Sequence, residues 1–257
     1  MDSQPKPNSW NDTIRTIIFA LLLAVTFRSF AFEPFHIPSG SMKSTLLVGD
    51  YLFVSKYTYG YSRFSFPLGL PLFQGRVMEL TEPKRGDVVV FREPANTRID
   101  FIKRLIGLPG DHIQVKGGIL YINDVALPRQ EIQDFSDEED KHNVVTIAQF
   151  HETLPGGKVI TILKKPHNGT PIDPSNLEYT ADDTPVFEVP PHHYFMMGDN
   201  RDNSTDSRFA VVRYVPEENI VGRAEMIFFS TDGTAQWINP ISWVKAMRFD
   251  RFFSAIH

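Results

Sequence analysis

Two serines separated by one glycine, Ser39-Gly40-Ser41, are the first residues whose types and spacing fit covalent chemistry. A glycine between them lets the backbone turn tightly and leaves amide hydrogens open to an oxyanion, which a nucleophile loop needs. Taken alone, Pro38-Ser39-Gly40 is also an ordinary turn. The second candidate is Lys103, set among Phe101, Ile102, Leu105 and Ile106. If strand alternation turns it inward, lost hydration lowers its pKa from the ordinary value of ~10.4. A neutral amine then takes a proton from a serine hydroxyl. An outward-facing lysine is the commoner fate on a strand. The third candidate is the polar run from Gly198 through Asp199, Asn200, Arg201, Asp202, Asn203, Ser204, Thr205, Asp206 and Ser207 to Arg208. A calcium loop is a poor description of it, because the sixth position lacks glycine and Arg201 falls among the would-be ligands. It reads either as a solvated turn or as a polar network in which Ser204 and the Asp206/Arg208 pair hold a lysine in place. His36, close to Ser41, keeps a Ser-His-Asp triad open as the enzymatic rival, although no histidine occurs in the other two blocks.

The elements that must position these residues are short. After Glu33, Tyr51–Lys56, Asp87–Phe91, Ile119–Ile122, Val159–Leu163 and Ala224–Phe229 read as strands, with Gly49, Pro67, Gly86, Pro109-Gly110 and Pro155-Gly156 between them. With 21 Phe and 19 Pro in 257 residues, the soluble part is mainly β, a folded-over antiparallel sheet or partial barrel. Residues 129–143 form an acidic, polar block that reads as an exposed loop. The segment from Trp237 to His257 mixes Trp, Phe, Ile and Arg, and reads as a terminal helix, either packed on the body or lying at a membrane interface.

Upstream of the serines lies the most apolar stretch in the chain. Thr16 to Phe27 carries no charge, and apolar character continues past Arg28 to Phe32. As a helix, 16–32 spans about 26 Å, close to a hydrocarbon core of ~30 Å. We read 1–13 as a polar tail and 14–33 as a transmembrane anchor. A buried helix and a cleavable signal peptide ending at Ser29-Phe30-Ala31 are the alternatives. Lys6 and Arg15 give too weak a charge bias to orient the segment. There is no cysteine, so a thiol nucleophile, a Cys-ligated zinc and a disulfide are excluded. The net charge of −5 argues against a nucleic-acid partner.

Together the blocks are recognisable. Pro38-Ser39-Gly40-Ser41-Met42, then Arg85-Gly86-Asp87-Val88-Val89-Val90-Phe91, then Lys103 through Gly110-Asp111, and finally Gly198 to Arg208 come after a helical anchor in the order seen in the bacterial type I signal peptidases. The chain resembles these serine/lysine enzymes, which remove signal peptides from exported preproteins. The resemblance implies Ser41 as nucleophile and Lys103 as general base. It implies an oxyanion hole from the Ser41 amide and the Ser39 hydroxyl, and Ser204 orienting the Lys103 amine beside an Asp206–Arg208 salt bridge. Phe35, Ile37, Pro38 and Ile102 would line shallow pockets for small residues at positions −1 and −3 of the signal peptide. The catalytic β domain would comprise 34–111 and 191–257, with 112–190 as an inserted variable lobe. No metal or organic cofactor is implied. The implied partners are signal peptides and membrane lipid, with one inner-membrane span and a periplasmic catalytic domain; the sequence is silent on oligomeric state, and a monomer is the default. One departure is Ser44, where the family usually has proline after the nucleophile; losing the ring costs about 0.4–1 kcal/mol of chain entropy and removes no catalytic group. A catalytically silent binding protein that adds an extended peptide as a strand is the rival from another class. A self-cleaving repressor of related Ser/Lys type would need a DNA-binding helical domain, where this chain has an apolar segment.

Overall fold

The computed structural model describes residues 9–66, 75–78, 80–140, 143–165, 180–235 and 239–257. A 22-residue helix, α1 (Ser9–Phe30), comes first. At 1.5 Å per residue it is about 33 Å long, enough to cross a hydrocarbon core. Ile14, Phe19, Leu22 and Leu23 are each half or more exposed along it, while Ser29 at its end is buried against the body. A helix that is apolar on every side is stable only where something apolar covers it. The helix starts earlier and stops sooner than the 14–33 segment expected from sequence: residues 9–13 already belong to it, and 1–8 of the expected tail lie outside the described residues.

The helix stops because its last carbonyls are taken by the body. The Tyr61 hydroxyl donates to the Phe30 carbonyl at 2.7 Å and the Lys56 amide to the Ala31 carbonyl at 3.1 Å. Strand β1 (Phe32–His36) begins at once. Its Glu33 lies between Arg28 (2.5 Å) and Lys56 (2.8 Å), an ion cluster at the helix exit. Next come β2 (Asp50–Ser55), β3 (Val88–Arg92) and β4 (Asp100–Gly107). After them comes a run of smaller strands: β5 (His112–Lys116), β6 (Ile119–Ile122), β7 (Val125–Ala126), β8 (Arg129–Glu131), β9 (Phe135–Asp140), β10 (Asn143–Ile147), β11 (Gln149–Thr153), β12 (Val159–Leu163) and β13 (Phe187–Glu188). The chain then returns through β14 (His193–Met197), β15 (Val215–Pro216), the long β16 (Ile220–Ser230), helix α2 (Pro240–Ala246) and β17 (Ser254–Ala255).

The principal sheet has the order β1-β2-β16-β3-β4-β14-β15, with β17 also on β16, and every pairing in it is antiparallel. The fold is mainly β, one antiparallel sheet curled into a partial barrel behind an apolar helix. Period-two alternation sends side chains into cores on both faces of the sheet. Val88 and Val90 enter one cluster with Ile37, Met42, Leu46 and Leu52, while Val89 and Phe91 enter another with Tyr59, Leu105 and Met196. A third cluster, from Ile113 and Leu120 to Ile160 and Phe195, joins the small sheets between β4 and β14 to the principal one.

Two further expectations need correction. Among the described residues, the acidic block 129–143 is mostly strand and not one loop. It contributes β8, paired with β11, and β9, paired with β10, though Glu131, Gln133 and Asp134 are indeed exposed. Asp and Glu have low β-propensity, so the pairing partners, not the local composition, decide these strands. The C-terminal segment is not one helix either. α2 has seven residues, capped by Asn239, whose side-chain oxygen accepts from the Ile241 amide at 3.1 Å. Beyond α2 the chain is tied to the body: β17 pairs with β16, and Arg251 reaches Asp50 at 2.6 Å. Trp237 lies outside the described residues.

Candidate active site

Ser41 is placed by the residue after it. Residues 37–50 form a loop closed by backbone bonds from the Ile37 amide to the Asp50 carbonyl (2.9 Å) and from the Gly49 amide to the Ile37 carbonyl (3.0 Å). Met42 and Leu46 on that loop are fully buried and anchor it in the core. Gly49 has φ +89°, and a Cβ there would sit 1.9 Å from the Thr231 carbonyl oxygen, so only glycine fits the closure. Burial of Met42 fixes where the preceding serine can point.

Lys103 is placed by strand alternation. On β4, Phe101, Lys103 and Leu105 share a face. Opposite them on β3 stand Phe91 and Val89, Val89 directly across from Lys103. The amine lies 5.3 Å from the centre of the Phe101 ring, and the whole residue is 3% exposed. From there Nζ reaches Ser41 Oγ at 2.6 Å and donates to the Ile102 carbonyl at 3.0 Å. Burial among apolar side chains pulls the lysine pKa down to about 8, against the opposing pull of the Asp206 and Asp199 carboxylates.

The third block closes over this pair. Asn200 donates its backbone N–H to the Ser41 carbonyl and its side-chain amide to the Gly40 carbonyl, both at 3.1 Å. Asp206 and Arg208 form the expected salt bridge, buried, with two bonds at 2.9 Å. Burial pushes the Asp206 carboxyl up, but Arg208 and the Gly198 amide, 3.0 Å away, outweigh it and hold the group below its ordinary range. Asp206 therefore stays charged while Lys103 titrates. Ser204 lines the same groove, but its buried hydroxyl makes no hydrogen bond of normal geometry among the described residues, so the Lys103 amine is held by Ser41 and Ile102 instead. Ser39 is exposed and lines the groove as well.

A groove of about 750 Å³ runs past the serine and the lysine, and Phe35, Ile37, Pro38 and Ile102 all line it. His36 lines it too, with its ring packed on Tyr51 at 4.8 Å between centroids, an exposed position on β1. The sequence reading missed the scaffold beneath. Arg104, next to Lys103 but on the other face of β4, makes a buried two-point ion pair with Asp199 at 2.7 and 2.8 Å. Thr45 of the 37–50 loop donates to the same carboxylate at 2.6 Å. The only local signal for this was a charged residue in an apolar strand, and its partner lies 95 residues away.

Gly198 packs directly against the serine loop. A Cβ there would lie 2.3 Å from Ser204 Oγ and 2.6 Å from the Ser41 carbonyl oxygen. Gly198→Ala must therefore push the serine loop aside, and misplacement by about 1 Å costs on the order of 10²-fold in rate. We expect turnover to fall by about that factor while circular dichroism stays native; near-normal turnover would show that the loop re-seats freely.

The chain is similar to known proteins along most of its length. The family model described as signal peptidase, peptidase S26, matches residues 10–229. A signal peptidase I of Rickettsia typhi is 41% identical over 252 residues, covering 93% of this chain and 91% of that protein. The one from Rickettsia canadensis is 40% identical over 255 residues, covering 95% and 92%. A crystal structure of a signal peptidase I from Enterococcus faecalis is 26% identical, covers 56% of this chain and 98% of that one, and has a TM-score of 0.31. With the family model spanning most of its length and relatives near 40% identity spanning nearly all of it, the chain belongs to the S26 family of signal peptidases and is a serine peptidase, a hydrolase.

Proposed function

We propose that this peptidase is a membrane-anchored endopeptidase that cuts signal peptides from exported preproteins by a Ser41/Lys103 dyad. The observation that carries the reading is the 2.6 Å contact between a buried amine and a buried hydroxyl. Ser41 Oγ attacks the scissile carbonyl carbon as its proton passes to neutral Lys103 Nζ. The carbonyl oxygen becomes an oxyanion, for which the Ser41 amide and the Ser39 hydroxyl are the donors on the nucleophile side. The C–N bond then breaks, with the proton moving from Lys103 to the leaving amine, and an ester remains on Ser41. Water attacks that ester, Lys103 takes the water's proton, and the acyl–oxygen bond breaks as the proton returns to Ser41 Oγ. Ser204 lines the groove beside Gly198, and the Asp206–Arg208 pair keeps that segment in place.

Substrate and placement are inferred from the same surroundings. The apolar side chains of Phe35, Ile37, Pro38 and Ile102 form shallow walls that suit small residues at −1 and −3. Ser41 lies only 11 residues after the end of α1 (41 − 30), so an α1 embedded in lipid holds the groove near the membrane surface, where a signal peptide's end emerges. In this reading α1 is the single span of a bacterial inner membrane and the groove is periplasmic. Residues 34–111 and 191–257 are the catalytic unit and 112–190 an inserted lobe.

The test is cleavage of a preprotein whose signal peptide ends in Ala-x-Ala by the full chain in detergent, with the cut located by mass spectrometry. A single cut after the second Ala, lost when Leu or Phe replaces either Ala, is the expected result. No cleavage, or cleavage indifferent to those replacements, sinks the reading.

A further inference from the structure

The small sheets between β4 and β14 contain one residue whose burial the dyad reaction leaves without a purpose. Glu152 lies on β11, on the same face as Phe150, which packs against the third apolar cluster. It is 1% exposed, and a carboxylate that deep requires a partner. Its partner is Arg201, itself 4% exposed, in the middle of the active-site segment: Nη1 donates to Oε2 at 3.2 Å and Nη2 to Oε1. Arg201 passes the restraint on. Its amide donates to the Leu163 carbonyl at 2.9 Å, and its carbonyl accepts from Arg208 Nη2 at 2.6 Å. The same Arg208 nitrogen bonds Asp206, and Asp206 accepts from the Gly198 amide. Asn200, the residue before Arg201, holds the Ser41 carbonyl.

We propose that Glu152 is a positioning residue for catalysis: through Arg201 and Arg208 it fixes the wall that carries Gly198, Asn200 and Asp206 against Ser41 and Lys103. The small sheets thereby act on the rate from outside the groove, which neither Glu152 nor Arg201 lines. A second set of contacts points the same way. Lys164, just after β12, binds both Asp182 and Asp202, and Asp202 is part of the groove wall. Two cation–carboxylate contacts thus fasten one catalytic segment to the small sheets, and the one through Glu152 buries a charge on each side.

The inference rests on the Ser41/Lys103 reading, and the experiment separates the two. Glu152→Gln, in the full chain in detergent, is assayed with an Ala-x-Ala peptide well below its unfolding temperature, together with Glu152→Asp. We expect kcat to fall at least tenfold in Glu152→Gln with KM within twofold of wild type, because the substrate-facing walls from β1 and β4 are untouched, and Glu152→Asp to recover part of the loss. Because Glu152→Gln leaves Arg201 buried and uncompensated, the double variant Glu152→Met/Arg201→Met, which removes both charges, is measured in parallel and is expected to show the same loss of kcat in a folded enzyme. A folded variant of either kind with wild-type kcat overturns the proposal, whatever its melting temperature. Full activity in Lys103→Ala would instead overturn the dyad.

Discussion

Lys103→Met is expected to abolish turnover and, at neutral pH, to make the fold more stable. The activity side comes from the site: methionine has similar length but no basic nitrogen, so Ser41 Oγ keeps its proton. General-base assistance alone contributes about 10²–10⁴-fold, and a nucleophile and base acting as one unit lose most of their joint effect when either goes. A fall of at least about 10³-fold is expected for Lys103→Met and for Ser41→Ala, and the double variant should be no worse than either alone. His36→Ala should remain within a few-fold of wild type, since its ring sits on Tyr51 and the hydroxyl is already engaged by the amine. In the wild type, kcat/KM should rise with pH and level off above about 8, where the Lys103 amine is neutral. The stability side comes from the same burial. The lysine pKa drops from 10.5 unfolded to about 8 folded, a cost on the order of 3 kcal/mol while both states are protonated. That cost is full below pH 8. Between about 8 and 10.5 the folded amine gives up its proton while the unfolded one keeps it, so the unfolded state binds more protons and stability rises with pH. Above about 10.5 the cost is gone. Urea melts in detergent should therefore show Lys103→Met above wild type at pH 7, with the gap closing toward pH 10.5. Activity within tenfold of wild type, or no gap at pH 7, contradicts this account.

The same burial explains why the Ser41–Lys103 contact was legible in the sequence and much of what surrounds it was not. Ser41 and Lys103 announce themselves by contradiction: a serine pair on a glycine turn, and a lysine in an apolar strand where local preference wants Val or Ile. The strands Ile119–Ile122 and Val159–Leu163 were legible for the opposite reason, because pattern and propensity agree there. The acidic hairpin of β9 and β10 was not, since its register is set by pairing between strands and its composition favours a loop. The end of α1 differs from the sequence expectation because apolar character runs on through Phe32, whereas hydrogen bonds from Tyr61 and Lys56, both well further along the chain, fix the helix exit. Asp206 and Arg208 sit two apart and could be paired by inspection. Glu152 with Arg201, and Arg104 with Asp199, are separated by 49 and 95 residues, and no local pattern ties one to the other.

The Arg104–Asp199 pair carries the largest stability prediction. All five guanidinium N–H groups of Arg104 are used: two on Asp199, one each on the Gly86 carbonyl, the His257 carbonyl and the Thr45 hydroxyl. The residue is 1% exposed, and so is Asp199. Removing either partner leaves a full charge in a dry interior, which costs about 3–5 kcal/mol. Arg104→Met and Asp199→Asn should each lower stability by that amount in urea melts, a large share of the ~5–15 kcal/mol that holds an ordinary domain together. Removing both charges at once, in Arg104→Met/Asp199→Leu, should recover most of it, because apolar replacements of a buried pair are often neutral. Turnover should not recover with it. The pair is also the junction at which β4, the end of β14 and the Thr45 side of the nucleophile loop meet, and the apolar double variant restores packing without restoring the bond from Thr45. Single variants that cost less than about 1 kcal/mol would mean that water reaches the pair. A double variant that regains full turnover would mean that Met42 and Leu46 alone are sufficient to hold Ser41 where Lys103 can deprotonate it.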